Sequence, residues 1–385
     1  MDPSLIVKKL CWGLVTASGV WIGCVLLCTK TWVQRHVFYA HKVPIWWGQR
    51  LNEPETLGFL RHQVTPFQIP TRDRQLLYTW LVTPLRLYAQ NESDLLNDPS
   101  RASQDIKKTV AFNLLANDPE SRLVIYFHGN AGTVGQTRRT DAYRMISSGA
   151  PDKIHVLAFD YRGFGNSSGT PTEEGLIIDA IEVIKWATEV ANIPFNRIIL
   201  LAQSLGTALA AAAANHFIRM EPKGEFAGVI LCAGFTDAAT IFQSYSIGGF
   251  LPLLAPLQIS STLQNWFFRH MTDTWKTSNH IDALVKNSRS LRLTLVHAIN
   301  DNVIPWEQTN ELFSVAVNAA TEGDMSQDEI DAHMNTIDLD EGGWIQSYRS
   351  EDLLIKKRIV RHGGHNGIMK WAPVSLATVK SFGIV

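Results

Sequence analysis

Three residues of this chain could together carry nucleophilic chemistry on an acyl group: Ser204, Asp301 and His365. A serine hydroxyl is a poor nucleophile at neutral pH and needs an adjacent base, itself oriented by a carboxylate. Ser204 stands in Ala202-Gln203-Ser204-Leu205-Gly206, directly after the apolar run Ile198-Ile199-Leu200-Leu201 and before an alanine-rich run that opens at Thr207. That order predicts a strand, a tight turn and a helix, with the hydroxyl projecting from the turn and small neighbours letting the backbones pack closely around it. Glycine usually stands at both flanks of such an elbow, and Ala202 occupies the first here. A serine that only caps a helix is the competing reading.

The acid and the base are sought at strand ends beyond residue 204. Asp301 follows the apolar run Leu291 to Val296, in Asn300-Asp301-Asn302, where a turn would aim its carboxylate over the sheet. A plain turn-forming aspartate would look the same, and Asp237, after the preceding strand, is the rival acid. Of the histidines near the C-terminus, His362 and His365 follow the last expected strand, Leu354 to Val360. His365 is preferred because Gly363 and Gly364 would let its ring swing inward, with His362 as the alternative. An acyl-transfer site also needs donors for the oxyanion. The backbone amides of Asn130, in His128-Gly129-Asn130-Ala131-Gly132, and of Leu205 are the candidates; the ring of His128 is read as structural.

The elements that must position these groups follow a regular order. An antiparallel hairpin is expected over residues 64 to 83, around the polar turn Thr71-Arg72-Asp73-Arg74. Residues 86 to 120 are polar and read as a surface insertion. From residue 123 onward, apolar runs at 123–127, 154–159, 198–201, 229–232 and 291–296 alternate with helical segments, and a last strand is placed at 354–360. Strands that are apolar throughout and separated by helices indicate an α/β fold, with a mostly parallel sheet and helices on both faces. Reactive groups gather beyond the carboxyl ends of such strands. One of the helices is expected to open on Thr170 as cap, Pro171 at its first position and Glu173 completing a capping box. A cap insertion is placed at about 236–290, with the apolar, Gly/Pro-punctuated run from Ser246 to Leu257 and Trp266-Phe267-Phe268. It is a lipid-facing surface or ordinary buried packing. Thr321 to Gly343 is acidic and reads as a solvated loop, without the glycine and terminal glutamate of a calcium loop.

Composition narrows the function classes. The 385 residues are 45% hydrophobic and 18% charged, enough for one large core. A net charge of −1, with Lys and Arg scattered, gives no electrostatic footprint for nucleic acid. Cys11, Cys24 and Cys28 lie in the apolar N-terminus and leave Cys232 alone in the remainder, so no disulfide framework is expected there. No cluster has metal-ligand spacing, so neither a metal nor a cofactor is expected.

From Leu10 to Thr29 no charged residue occurs. About twenty residues at helical rise span roughly 30 Å, the hydrocarbon thickness of a bilayer. Trp12 and Trp32 stand near the two ends, where amphipathic rings favour the interface. Residues 1–30 are therefore read as a transmembrane anchor, 31–63 (with Trp46-Trp47) as a juxtamembrane connector and 64–385 as the globular domain. A cleaved signal peptide would want a shorter apolar stretch and an Ala-x-Ala-like site. Basic residues flank both ends, so charge does not orient the helix. Asn91-Glu92-Ser93 and Asn166-Ser167-Ser168 are acceptor triplets if the domain is lumenal.

The set His128-Gly129-Asn130-Ala131-Gly132, Asp160-Tyr161-Arg162-Gly163-Phe164-Gly165, Pro171-Thr172-Glu173-Glu174-Gly175, Ala202-Gln203-Ser204-Leu205-Gly206 and Gly364-His365-Asn366 resembles the α/β-hydrolase superfamily over roughly residues 64 to 385. Within it, the resemblance is to the membrane-anchored α/β-hydrolase-domain lipases that act on monoacylglycerols and lysophosphatidylserine, and to their fungal relatives. The resemblance implies Ser204 as nucleophile, Asp301 as acid and His365 as base. It also implies a single-pass anchor in the endoplasmic reticulum with a lumenal domain, and a structural part for Asp160 and Arg162. The expected partners are a membrane and a single-chain lipid ester. An acyl-protein thioesterase, as in related depalmitoylases, and a catalytically silent scaffold are the other two readings.

Overall fold

The structure, a computed structural model, describes residues 3–42, 50–99, 105–220, 224–244, 257, 260–321 and 327–384. Trp46-Trp47 and most of the run from Ser246 to Leu257 lie outside the described residues. Ten strands form one sheet: β1 (Val64–Pro70), β2 (Leu76–Val82), β3 (Arg122–Phe127), β4 (Ile154–Phe159), β5 (Ile198–Gln203), β6 (Gly228–Cys232), β7 (Leu291–Ala298), β8 (Met334–Asp338), β9 (Trp344–Arg349) and β10 (Leu353–Val360). Their order is β1-β2-β4-β3-β5-β6-β7-β10-β9-β8. The middle six, β4 to β10 in that order, are parallel, as the alternation of strands and helices predicts. The expected hairpin is β1 with β2, and it joins the parallel block antiparallel to β4.

The helices are α1 (Pro3–Cys28), α2 (Thr31–Tyr39), α3 (Leu85–Gln90), α4 (Glu92–Leu96), α5 (Val110–Ala116), α6 (Thr137–Ser147), α7 (Glu173–Lys185), α8 (Leu205–Met220), α9 (Ala238–Ser244), α10 (Ser261–Phe268), α11 (Thr277–Asn287), α12 (Glu307–Ala320), α13 (Gln327–Ala332), α14 (Gly364–Gly367) and α15 (Ala372–Ser381). Two buried clusters lie on the two faces of the sheet. One packs α5, α7, α8, α11 and α12; the other packs α6 and α15. Every residue of β4, β5 and β6 is buried, as strands covered on both faces require.

Four expectations meet a different local structure. The cap of α7 is Thr172, not Thr170: its extended backbone lets Oγ1 accept the Gly175 N–H at 3.0 Å, and Pro171 precedes the cap. Glu173 does not close a capping box; its carboxylate accepts the Thr274 and Trp275 amides at 2.5 and 3.0 Å. The polar insertion 86–120 is more than surface, because Tyr88, Leu95, Phe112 and Leu115 bury their side chains in the core. The acidic stretch 321–343 contains β8, an exposed edge strand paired with β9. Its alternation is too polar to read as a strand without its partner.

Close packing behind the elbow depends on small residues. A Cβ at Gly206 would stand 2.3 Å from the Phe127 carbonyl oxygen, which is backbone and cannot move aside. α8 continues with alanine at 208 and 210–214, all buried, so the helix lies directly on the sheet. Ala202 is buried mid-sheet between Phe127 and Leu231, and its backbone is ordinary strand. Nothing in the conformation there requires glycine, so the added methyl introduces no backbone strain.

The span Ser4–Cys28 of α1 holds an 18-residue window of mean hydropathy 1.9, and it is long and apolar enough to cross a membrane. Its apolar side chains are mainly exposed, among them Leu10, Trp12, Leu14 and Val20. A helix apolar all round needs either protein or lipid about it.

Candidate active site

The site is built where β5 ends. Ser204 is held at φ +52°, in the left-handed region that non-glycine residues rarely occupy. Strain of this kind costs on the order of 1–3 kcal/mol and persists where surrounding bonds enforce it. Here the Ser204 N–H donates to the Cys232 carbonyl at 3.0 Å, and the Ser204 carbonyl accepts from Thr207 N at 2.8 Å and Thr207 Oγ1 at 2.6 Å. The turn therefore places the side chain at the head of α8 rather than within either element.

Asp301 and His365 come together from the ends of β7 and β10. His365 Nδ1 lies 2.8 Å from Asp301 Oδ2. His365 is buried, and Gly363 and Gly364, at φ +134° and +58°, make the loop turn that brings its ring inward. The other carboxylate oxygen, Oδ1, accepts the Val303 and Ile304 amides at 2.8 and 3.0 Å. Burial opposes ionisation of Asp301, yet hydrogen bonds from His297 and His365, the attraction of His365 and the Ile304 amide hold its carboxyl well below the ordinary carboxylate range. The alternatives are occupied elsewhere. Asp237 caps α9 by accepting Thr240 N at 2.8 Å, and His362 is exposed and does not line the site.

Ser204, Leu205, Asn130 and His365 line one cavity of about 270 Å³, together with Gly129, Ala131 and several apolar side chains. With Nδ1 engaged by Asp301, the Nε2 edge of His365 is the one left for that cavity. Leu205 is the first residue of α8, where N–H groups have no intrahelical partner and the helix dipole favours negative charge. Gly129 lets the other loop approach: a Cβ there would meet Ser204 Cβ and Gln203 Oε1 at 3.3 Å.

Three residues at the site were not singled out by sequence reasoning. The buried guanidinium of Arg139 donates to the carbonyls of Gly129, Ala131 and Thr133 at 2.9, 2.7 and 2.8 Å. By gathering carbonyls on its side it fixes the peptide planes of the Asn130 loop, and their N–H groups face away from it. Gln203 Nε2 donates to the His365 carbonyl at 2.8 Å and to Asn366 Oδ1 at 3.1 Å, tying the elbow to the histidine loop. His297 is a second imidazole on Asp301, with Nε2 3.1 Å from both Asp301 Oδ2 and the Ile304 carbonyl, and Nδ1 2.6 Å from Thr309 Oγ1. Two acceptors at Nε2 put the proton there, and Thr309 donates to Nδ1. The Ser204 elbow, Asp301, His365 and the Asn130 loop had a sequence signature; long-range polar partners such as these have none.

Asp160 and Arg162 are scaffold. Asp160 accepts the Val134 N–H at 2.7 Å, and burial pushes its carboxyl up to about 7. Arg162 joins three segments: its Nε and backbone N–H donate to Asp179 at 2.8 Å each, and Nη1 and Nη2 hold Asp73 at 2.6 and 3.1 Å.

A strained serine turn after the fifth strand, a carboxylate and a histidine on later strand ends, and a helix N-terminus beside them define the class. The sequence profile described as alpha/beta hydrolase fold matches residues 122–372, and the chain belongs to that family. Among individual proteins, it is 30% identical over 197 residues to lysophosphatidylserine lipase ABHD12 of Macaca fascicularis, covering 51% of this chain and 46% of that one. It is 32% identical over 225 residues to protein ABHD12B of Homo sapiens, covering 57% of each. The matched stretch thus spans about half the length of these curated relatives. An alpha-beta hydrolase from Vibrio vulnificus superposes with a TM-score of 0.52 at 12% identity, over 83% of this chain and 81% of that one, a likeness of fold.

Proposed function

We propose that this protein is a serine hydrolase that cleaves the acyl ester of single-chain lipids, a monoacylglycerol or a lysophospholipid, through an acyl-enzyme. The observation that carries the reading is the strained Ser204 turn opening into the same cavity as His365, whose ring is bound to the ionised Asp301. Ser204 Oγ attacks the ester carbonyl while His365 Nε2 takes its proton. The Asn130 and Leu205 amides receive the negative charge of the tetrahedral intermediate. The glycerol oxygen leaves with the proton from His365, and water then attacks the acyl-serine by the same route in reverse. The fatty acid departs and Ser204 regains its proton.

The lipid preference rests on α1 and on the lipase name carried by the ABHD12 relatives. We infer a single-pass anchor, with the catalytic domain on the lumenal side of the endoplasmic reticulum. Asn166 is exposed and available for glycosylation in that orientation. Each methylene drawn from lipid into water costs about 0.8 kcal/mol, so an enzyme held at the bilayer has a large advantage over a free one.

The test compares a monoacylglycerol, a lysophosphatidylserine and an S-palmitoylated peptide as substrates of the full chain in membranes. The expected result is hydrolysis of a single-chain lipid at least about tenfold faster, in kcat/KM, than release of the peptide's acyl group. Faster thioester cleavage would replace this reading with an acyl-protein thioesterase. No turnover of any of the three would favour a silent scaffold.

His297 should matter to the same chemistry without touching substrate. Its hydrogen bond to a carboxylate is worth about 1.5–3 kcal/mol, so His297→Ala is expected to lower kcat by about 10- to 100-fold with little change in KM. Steady-state kinetics on a soluble ester check this, and an unchanged kcat would remove His297 from the mechanism.

A further inference from the structure

The stretch between α1 and the globular domain forms part of the site. Val37, Phe38 and Ala40, on α2 and its C-cap, line the cavity that holds Ser204 and His365. The helix is fastened from two sides. Toward the oxyanion-side loop, Ala131 N donates to the Tyr39 carbonyl at 3.3 Å, and the Asn130 side-chain amide donates to the Phe38 carbonyl. Toward the cap, Gln34 Nε2 donates to the His270 carbonyl at 2.7 Å, Gln34 Oε1 accepts from Thr272 N at 3.1 Å, and the buried Tyr39 hydroxyl donates to Asp273 at 2.7 Å. The Asp273 carboxylate also accepts the Glu173 N–H at 3.1 Å, which ties the arrangement to α7.

The same region meets the apolar helix. Val25, with Trp21 and Cys28, packs against Leu257, Phe267, Phe268 and Met271. These are the last two turns of α1, so α10 sits at the depth where that helix would leave a bilayer. α2 begins three residues later, at Thr31. Around the cavity the accessible surface is mainly apolar: Val37 is 44% and Val303 40% exposed, and both line it. Trp32 on α2 and Leu263 and Trp266 on α10 are exposed as well. Large apolar side chains gathered in the open mark a surface that meets something other than water.

We propose that α2 is the acyl-chain wall of the active-site cavity, and that a mouth bordered by Val37 and Val303 admits the chain of a single-chain lipid directly from the membrane that α1 enters. The proposal rests on the serine-hydrolase reading above and adds where the chain lies. The apolar helix then does two things: it holds the enzyme at the bilayer, and through α2 it supplies a fixed part of the substrate site. The ester reaches Ser204 while its chain stays in apolar surroundings, passing Val37 and Phe38.

The test uses the full chain in membranes, with monooctanoylglycerol and monooleoylglycerol as the short and long substrates. The readout is the ratio of their kcat/KM values, which cancels differences in the amount of folded enzyme. Val37→Trp fills the mouth and is expected to lower the long-to-short ratio by at least about tenfold; Val37→Ala widens it and is expected to raise the ratio by about twofold or more. If Val37→Trp turns over neither ester, the alanine variant decides alone. Ratios within about twofold of wild type, when wild type cleaves both esters, overturn the α2 wall and leave the serine-hydrolase reading intact. Wild type that cleaves neither ester overturns both.

Discussion

Ser204→Ala is expected to reduce ester hydrolysis by about 10⁴-fold or more while leaving the fold unchanged. The size of the loss follows from the geometry. In the proposed mechanism covalent catalysis passes through one atom, Oγ, and the other groups at the cavity only make that atom reactive or steady the charge it creates. Residual turnover from the oxyanion donors and substrate binding alone sets the floor. The fold should survive because the turn is enforced by backbone and Thr207 bonds that alanine keeps, and alanine at φ +52° is no more strained than serine. Kinetics on a soluble ester together with a thermal melt check both halves. Retained hydrolysis, or a large fall in Tm, would contradict the expectation.

Asp179→Ala should act on stability. Arg162 is buried where β4 gives way to the next loop, and Asp179, wholly buried on α7, accepts from both its Nε and its backbone N–H. Removing the carboxylate strands a guanidinium whose remaining partner, Asp73, has a partly exposed side chain and is screened by solvent. Breaking a buried pair from one side costs about 3–5 kcal/mol. At about 2–4 °C per kcal/mol for a large domain, Tm should fall by roughly 10 °C. Asp73→Ala should cost clearly less, because Asp179 still pairs the arginine. Thermal melts of the two variants check the order, and equal shifts would contradict it.

The parts of the fold visible in the sequence are those governed by short-range physics. Five buried strands announce themselves as apolar runs because both faces are covered, and the Ser204 elbow is legible because strand, turn and helix are contiguous. Asp301 and His365 could be chosen because strand ends in a parallel sheet converge in space. What escaped depends on contacts between distant segments. β8 is an exposed edge strand whose pattern carries no burial signal. Thr172 rather than Thr170 caps α7, and Glu173 is drawn away from a capping box to the amides of Thr274 and Trp275, about a hundred positions away. Arg139, Gln203 and His297 hold the site through partners no local pattern predicts, and α2 joins it across some ninety residues of sequence.

Ala202 illustrates the limit of a motif. As a departure from glycine it raises a question about the elbow, but in space the position is plain β-strand, and the backbone demand falls on Ser204 and Gly206 instead. At Gly206, the second flanking position, a new methyl group would meet the Phe127 carbonyl oxygen.

The most direct test of the account is to react membranes carrying the full chain with a fluorophosphonate and locate the adduct by peptide mass spectrometry. The predicted result is a single modified peptide bearing the phosphonate on Ser204, absent after Ser204→Ala and weakened by Asp301→Asn. An unmodified wild-type chain, or an adduct on any other residue that persists in Ser204→Ala, would contradict it.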